Sequence, residues 1–293
     1  MPKITIPRYA PIGGMILDFD GKDDFVIIPH HEDLNPGAQT PFTIEVWVKV
    51  AKVQPYLKNY DHSIIEKWEG ALPHEARYPY VIRYLDERSP ADPGGVVAAR
   101  YDAGHVYEVR SDPGLSMNDG AYHHIAFVLY AIDPVNEQPN SLRLYIDGKL
   151  QKAQTQDGST HPKNLSPIYL GRRGPYSVDP NYLCGQIGSV HIWNGALDEA
   201  QIRGSMFATL VGPVHIDGTT IDLMGSWRCN EGYGKLAFDY ARGNDGALGD
   251  GQTSTEPTWV VSGLNQPPRF IPPIFPPENL LGGRKHEVRK GNG

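Results

Sequence analysis

Phe42-Thr43-Ile44-Glu45-Val46-Trp47-Val48-Lys49-Val50 is the stretch on which the fold turns. Apolar side chains stand at 42, 44, 46, 48 and 50, with Thr43, Glu45 and Lys49 between them, the period of two that a half-buried strand shows. Trp47 interrupts the polar side, so the spacing predicts a strand with something covering both faces. Upstream, Met15 to Phe19 alternates, Asp20-Gly21 turns the chain and Phe25 to Ile28 runs back, a hairpin signal. Downstream, Leu142, Leu144 and Ile146 alternate with Arg143 and Tyr145, reach Asp147-Gly148 and return through Leu150, a second and clearer hairpin. Strands are also predicted over 63–68, 80–84, 96–101, 106–109, 123–130, 168–170 and 186–193. A short helix follows over 198–207, with Asp198 as its cap and Ile202 and Phe207 as its apolar face. Three more short strands fall at 226–229, 236–240 and 258–261. Short strands at this density, punctuated by turns, predict an all-β, antiparallel β-sandwich of around a dozen strands.

Composition agrees. The 293 residues include 32 Gly and 26 Pro, about a fifth of the chain and too many turn-formers for a helix bundle. The formal charge of −7 argues against a nucleic-acid partner. No apolar run approaches the roughly 18 residues of a membrane span, and residues 1–7 lack the apolar core of a conventional secretory signal. The two cysteines, Cys184 and Cys229, make either one disulfide or two buried thiols, and the lack of a signal favours thiols.

Five segments, in order, resemble the laminin-G-like domains of the concanavalin A-like lectin and pentraxin superfamily. They are Leu17-Asp18-Phe19-Asp20-Gly21-Lys22-Asp23-Asp24-Phe25-Val26-Ile27-Ile28 and the Phe42 strand, then Asp119-Gly120-Ala121-Tyr122-His123-His124-Ile125-Ala126, where Tyr122 replaces the family's Trp. The fourth is Leu142 to Leu150, and the fifth is Gly185-Gln186-Ile187-Gly188-Ser189-Val190-His191-Ile192-Trp193-Asn194-Gly195-Ala196-Leu197. A sixth, Ser226 to Gly232 with Ala237-Phe238-Asp239, resembles a strand that usually precedes the first. The resemblance implies a concanavalin A-like jelly roll over 14–263, closed by its own C-terminal segment. Residues 1–13 then form an N-terminal arm and 264–293 a Pro-rich, basic C-terminal tail.

The superfamily includes glycoside hydrolases, which need two carboxyl groups at a set separation. Glu45 and Glu66 each stand alone on their strands, and no nucleophile elbow, phosphate loop or zinc-protease helix is present. His123 and His124 point to opposite faces of a strand, and His30-His31-Glu32 falls in a loop. A structural Ca²⁺ is the one expected cofactor, held by Asp20, Asp23, Glu231 and Asp239 at the first turn and the C-terminal segment that should pair near it. For a glycan or polysaccharide partner the candidates are Arg172, Arg173, Tyr176 and Asp179 in the loop 171–182, with Tyr78. Guanidinium and carboxylate groups would bond hydroxyls, and tyrosine rings would stack on sugar faces. The loops 54–62 and 70–80 add Tyr56, Tyr60, His74 and Arg77, while Trp47, Trp68, Trp193, Trp227 and Trp259 fall in strand patterns and are expected in the core.

Residues 264–293 carry five basic and two acidic side chains, a net charge of +3 against −10 for the rest. Six prolines between Pro267 and Pro277 alternate with Phe270, Ile271, Ile274 and Phe275. Such a segment favours an extended polyproline helix and suits a connector to neighbouring protein subunits. The expected function is a non-enzymatic, lectin-like recognition module on an extracellular or particle surface, for example a virion. The alternatives are a coat protein without sugar binding and a polysaccharide-degrading enzyme.

Overall fold

The computed structural model describes residues 14–51, 59–70, 77–102, 105–132, 139–155, 162–174, 177, 179–212, 214–216 and 218–262. The N-terminal arm, the C-terminal tail, Tyr56, His74 and Tyr176 lie outside them. The described chain forms β1 (Met15–Asp20), β2 (Val26–Ile28), β3 (Phe42–Val50), β4 (Asp61–Glu66), β5 (Arg77–Leu85), β6 (Val96–Asp102), β7 (His105–Arg110) and β8 (His123–Ile132). There follow β9 (Pro139–Ile146), β10 (Lys149–Thr155), β11 (Ile168–Leu170), β12 (Cys184–Trp193) and the helix α1 (Glu199–Ser205). The last four strands are β13 (Leu223–Trp227), β14 (Leu236–Ala237), β15 (Gly246–Leu248) and β16 (Thr258–Val261).

Two antiparallel sheets pack face to face. The first runs β10-β9-β8-β3-β12-β1-β16, with β13 also paired to β12; the second runs β14-β15-β2-β11-β4-β5-β6-β7. The apolar side of β3 (Phe42, Ile44, Val46, Val48, Val50) faces the interior with Phe127, Leu144, Ile187 and Val190 of its own sheet and Ile64, Tyr80, Ile82 and Leu170 of the other. Asp147 and Gly148 both adopt positive φ (52° and 68°) and close the β9–β10 hairpin, as the Asp-Gly pair predicts.

The first turn is a correction. Asp20-Gly21 does not close a hairpin: β1 pairs with β12 and β16, whereas β2 pairs with β11 and β15, so the turn carries the chain from one sheet to the other. Sequence alternation sees two strands and a turn, but not that both edges of each strand are already taken.

Trp47 shows what covers the other side of β3. Its indole Nε1 donates to the Met206 carbonyl (2.8 Å) just past α1, and its ring packs near Phe207. Asp198 caps α1 in a full capping box with Gln201, and Ile202 is buried. Beneath the helix lies Glu45, fully buried, which accepts from Trp193 Nε1 (2.7 Å) and Ser205 Oγ (2.6 Å) and stands 3.3 Å from His124 Nε2. Burial raises the Glu45 carboxyl, but hydrogen bonding and charge from His124 outweigh it and hold the group below its usual range. Burial pushes the neighbouring His191 imidazole down to about 4. Glu45 is therefore alone on its strand but not in space.

His123 turns the other way, as alternation requires, and sits between Asp147 (2.9 Å) and Asp119 (3.1 Å). Cys184 and Cys229 are both free thiols.

Candidate functional site

The described helix covers the first sheet, so the outer face of the second is built from its strands and the loop after β11. Ile64, Ile65, Tyr80, Ile82 and Ala98 point inward to the main core, and the alternating positions Tyr78, Val81 and Ala99 form a separate outer cluster joined by Trp68 and Tyr101. The aromatic rings stand like cards across the strands. Trp68 stacks on Tyr78 (4.8 Å, 17°) and Tyr78 on Tyr101 (5.3 Å, 20°). The expected role of Tyr78 as a stacking platform for sugar is thus corrected: both faces of its ring are covered, and burial raises its phenol above the usual range.

At the Trp68 end the guanidinium groups of Arg173 and Arg83 lie 5.1 and 5.5 Å from the indole centre. Arg83 donates from Nε to Glu66 Oε1 (2.5 Å), which Ser63 Oγ also reaches (2.5 Å). Arg173 donates from Nη2 to Asp61 Oδ2 (2.8 Å), and Arg83 Nη1 stands 3.5 Å from the same oxygen. Three atoms of this buried network make no hydrogen bond: Glu66 Oε2, Arg83 Nη2 and Arg173 Nε. Two of them face each other as an ion pair, Arg173 Nε standing 3.7 Å from Glu66 Oε2.

The loop after β11 is closed at its base by Leu183 N–H to Gly171 O (2.9 Å) and Arg173 N–H to Pro180 O (2.7 Å). Consecutive residues in it turn opposite ways. Arg173 goes to Trp68, while Arg172 lies over three rings, Phe25 (4.9 Å), Tyr169 (5.4 Å) and Tyr182 (5.4 Å). Arg172 Nε donates to Arg173 O (2.9 Å), and among the described residues no carboxylate pairs with its guanidinium. Asp179 is exposed, its backbone tied to Ser177. Of the glycan-binding candidates, then, the structure brings Arg173 and Tyr78 together on one side of the loop and Arg172 to the other. Sequence reading missed Asp61, Glu66, Arg83 and Tyr101, and placed Trp68 in the core although it is half-buried on the outer face. Even spacing on one strand could not reveal them, because bulges after Ser63 and Tyr78 shift the register.

The metal candidates separate into two groups. Asp20 and Asp23 gather with Asp24, one carboxylate oxygen of each within 4.8 Å of the others. Glu231 and Asp239 are elsewhere. Gly232 packs on Met15, five residues from Asp20 along β1 and so about 17 Å away at the rise of an extended strand. Asp239 accepts backbone N–H groups from Ser226 (2.8 Å), Ala241 (2.9 Å) and Asn244 (2.9 Å), which makes it a turn anchor. The expected set of four is corrected accordingly: the C-terminal segment does pair with β1 and β2, but through β16 and β15, not through the residues around Asp239. The set that remains is oxygen-only, as a hard cation such as Ca²⁺ takes. Burial, and then the charges of Asp20, Asp23 and Asp18, push the Asp24 carboxyl up to about 6 even though the Asp20 N–H donates to it. A cation held by Asp20, Asp23 and Asp24 would offset that repulsion.

A two-sheet jelly roll with its helix on one sheet and charged and aromatic side chains along the other has the architecture of the lectin-type sandwiches. A family model of the concanavalin A-like lectin/glucanases superfamily, of the laminin-G type, matches residues 20–203, and the chain belongs to this superfamily. Among solved structures it is similar to a candidate carbohydrate binding protein from Bacteroides ovatus (14% identity, 85% of this chain and 60% of that one, TM-score 0.56). It therefore spans 60% of that protein's length. Other similar structures are the native heptameric SAP-like pentraxin of Limulus polyphemus (12% identity, 66% and 82% covered, TM-score 0.46) and the CBM40 of the Ruminococcus gnavus IT-sialidase bound to α2,3-sialyllactose (15%, 64% and 96%, TM-score 0.42). At these identities the likeness is one of fold. No curated protein matches the sequence. Among the described residues no helix is long and apolar enough to cross a membrane.

Proposed function

We propose that the chain is a non-enzymatic carbohydrate-binding module that reads its glycan on the outer face of the second sheet, as a component of a larger surface assembly. The observation that carries this is Arg172, whose guanidinium is seated on three rings and, among the described residues, forms no ion pair with a carboxylate. Seated in this way it loses little freedom on donating to a ligand's oxygens. Arg173 and Arg83 brace the neighbouring surface through their ion pairs with Asp61 and the buried Glu66. Asp61 and Glu66 are each engaged by the two guanidinium groups, which leaves neither placed as a general acid or nucleophile.

A glycan array followed by calorimetry on the best ligand tests the reading. Arg172→Ala is expected to weaken binding at least tenfold while the melting temperature stays within a degree or two. An array with no hits, or release of reducing sugar by the wild type, would overturn it. Light scattering of the full chain tests the assembly.

Calcium belongs to the same proposal, held by Asp20, Asp23 and Asp24 as a structural ion. Millimolar Ca²⁺ at pH 7 is expected to raise the melting temperature of the wild type by mass action and to leave Asp24→Asn unmoved. Equal curves with calcium and with chelator would return these residues to turn chemistry.

A further inference from the structure

Four large apolar side chains stay exposed where the chain leaves the sandwich: Tyr233 (77%), Val261 (66%), Leu236 (41%) and Phe238 (39%). Short contacts tie the first two into one strip. Gly232 packs on the Met15 side chain, Met15 pairs with Val261, and Trp259 Nε1 donates to Gly234 O (3.0 Å). The two neighbours of Tyr233 in the chain thus touch Met15 and the half-buried Trp259, and Leu236 follows on β14. β16 itself is an edge strand, paired only to β1 among the described residues. An apolar strip with two aromatic rings, open to water beside an unpaired edge, is a surface built to be covered.

We propose that this strip is the docking site of residues 267–277 of the same molecule. The segment begins five residues after Ser262, and five residues in extended form reach about 16 Å, enough to turn back over the strip. Its six prolines carry no N–H, so it binds by side chains in the manner of polyproline ligands on aromatic-lined grooves, and does not add a strand to β16. Phe270, Ile271, Ile274 and Phe275 supply the apolar partners. Charge favours the same docking: the tail is +3 and the rest of the chain −10. A tether this short holds the segment at an effective concentration in the millimolar range, so even weak contacts keep it in place.

Hydrogen exchange on the full chain, followed by mass spectrometry, tests the docking in both directions. Phe270→Ser with Ile274→Ser is expected to speed exchange at least tenfold over 231–238, with 123–130 in the first sheet unchanged. Tyr233→Ser, at a residue exposed enough not to disturb folding, is expected to speed exchange at Phe270, Ile271, Ile274 and Phe275. Both effects should be the same at 1 and 50 μM. Unchanged exchange in either variant would overturn the proposal. So would protection that grows with concentration, because the segment would then come from another copy.

Discussion

A chain ending at Phe207 is expected to be unfolded, although it retains most of the residues that carry the family signature. Truncation there removes β13, β14, β15 and β16, and with them the partners of β12 over Val190–Trp193, of β1 and of β2. Trp227, Leu223, Met224, Cys229, Ala237 and Leu248 are each at most 4% exposed and are divided between the two largest apolar clusters. Losing one buried Trp costs about 3–5 kcal/mol and each large aliphatic side chain about 2–5. For Trp227, Leu223, Met224 and Leu248 together that is about 9–20 kcal/mol, as large as the roughly 5–15 kcal/mol by which a domain is stable. Circular dichroism and tryptophan fluorescence of the 1–207 fragment provide the check. A monomeric fragment with a cooperative melt would mean that the sandwich closes without its C-terminal strands.

The second large effect is expected beneath α1. Glu45→Ala strips Trp193 Nε1 of its acceptor in a fully buried place, leaves Ser205 Oγ only the Ile202 carbonyl, and leaves His124 and His191 without the carboxylate they face. Removing one member of such a group costs about 3–5 kcal/mol, a fall in melting temperature of roughly 10 °C for a domain of this size. Glu45→Gln keeps an acceptor and should cost less.

Acid should reveal the same region, but only once Asp24 is silenced. His191 titrates near 4 when folded and near 6.5 when unfolded, so the unfolded chain holds the proton in between and stability falls as pH is lowered through that window. Asp24 does the reverse. The folded chain keeps its proton up to about 6 and the unfolded chain releases it near 3.8, so stability rises as pH is lowered from 6 to 4. Each is worth on the order of 3 kcal/mol, and in the wild type they nearly cancel. Asp24→Asn is therefore expected to lose about that much stability between pH 6.5 and 4, read by denaturant titration. A flat profile in this variant would show that His191 is not held neutral.

How far the sequence could be read follows from what alternation encodes. Period two located nearly every long strand, and Trp47 on the wrong side of β3 announced a cover on the outer face. Neighbours in sequence did not reveal neighbours in space: β1 and β2 look like a hairpin and belong to different sheets. β15 is three residues, Gly246–Leu248, with only Ala247 and Leu248 to signal it, too few for alternation to show. The candidate site was half legible. Arg172 and Arg173 stood out as a pair in one loop, but their division to opposite sides comes with a bend at Gly171 and Arg172, held by the bonds from Leu183 N–H to Gly171 O and from Arg173 N–H to Pro180 O. Asp61, Glu66 and Arg83 meet only because two strands pair in a bulged register.

The pairing of β1 with β16 also fixes how the domain would carry a mechanical load. Met15 lies opposite Val261, and Ser262 N–H donates to Gly14 O (2.9 Å), so the described chain enters the sandwich on β1 and leaves it on the edge strand β16 at one point. Tension applied through residues 14 and 262 would meet the ladder at its end and open it one hydrogen bond at a time, like a zipper. It would not shear all the bonds at once. A module attached in this way gives way at low force at its tether, β16 first, while β3, β8 and β12 stay out of the line of pull.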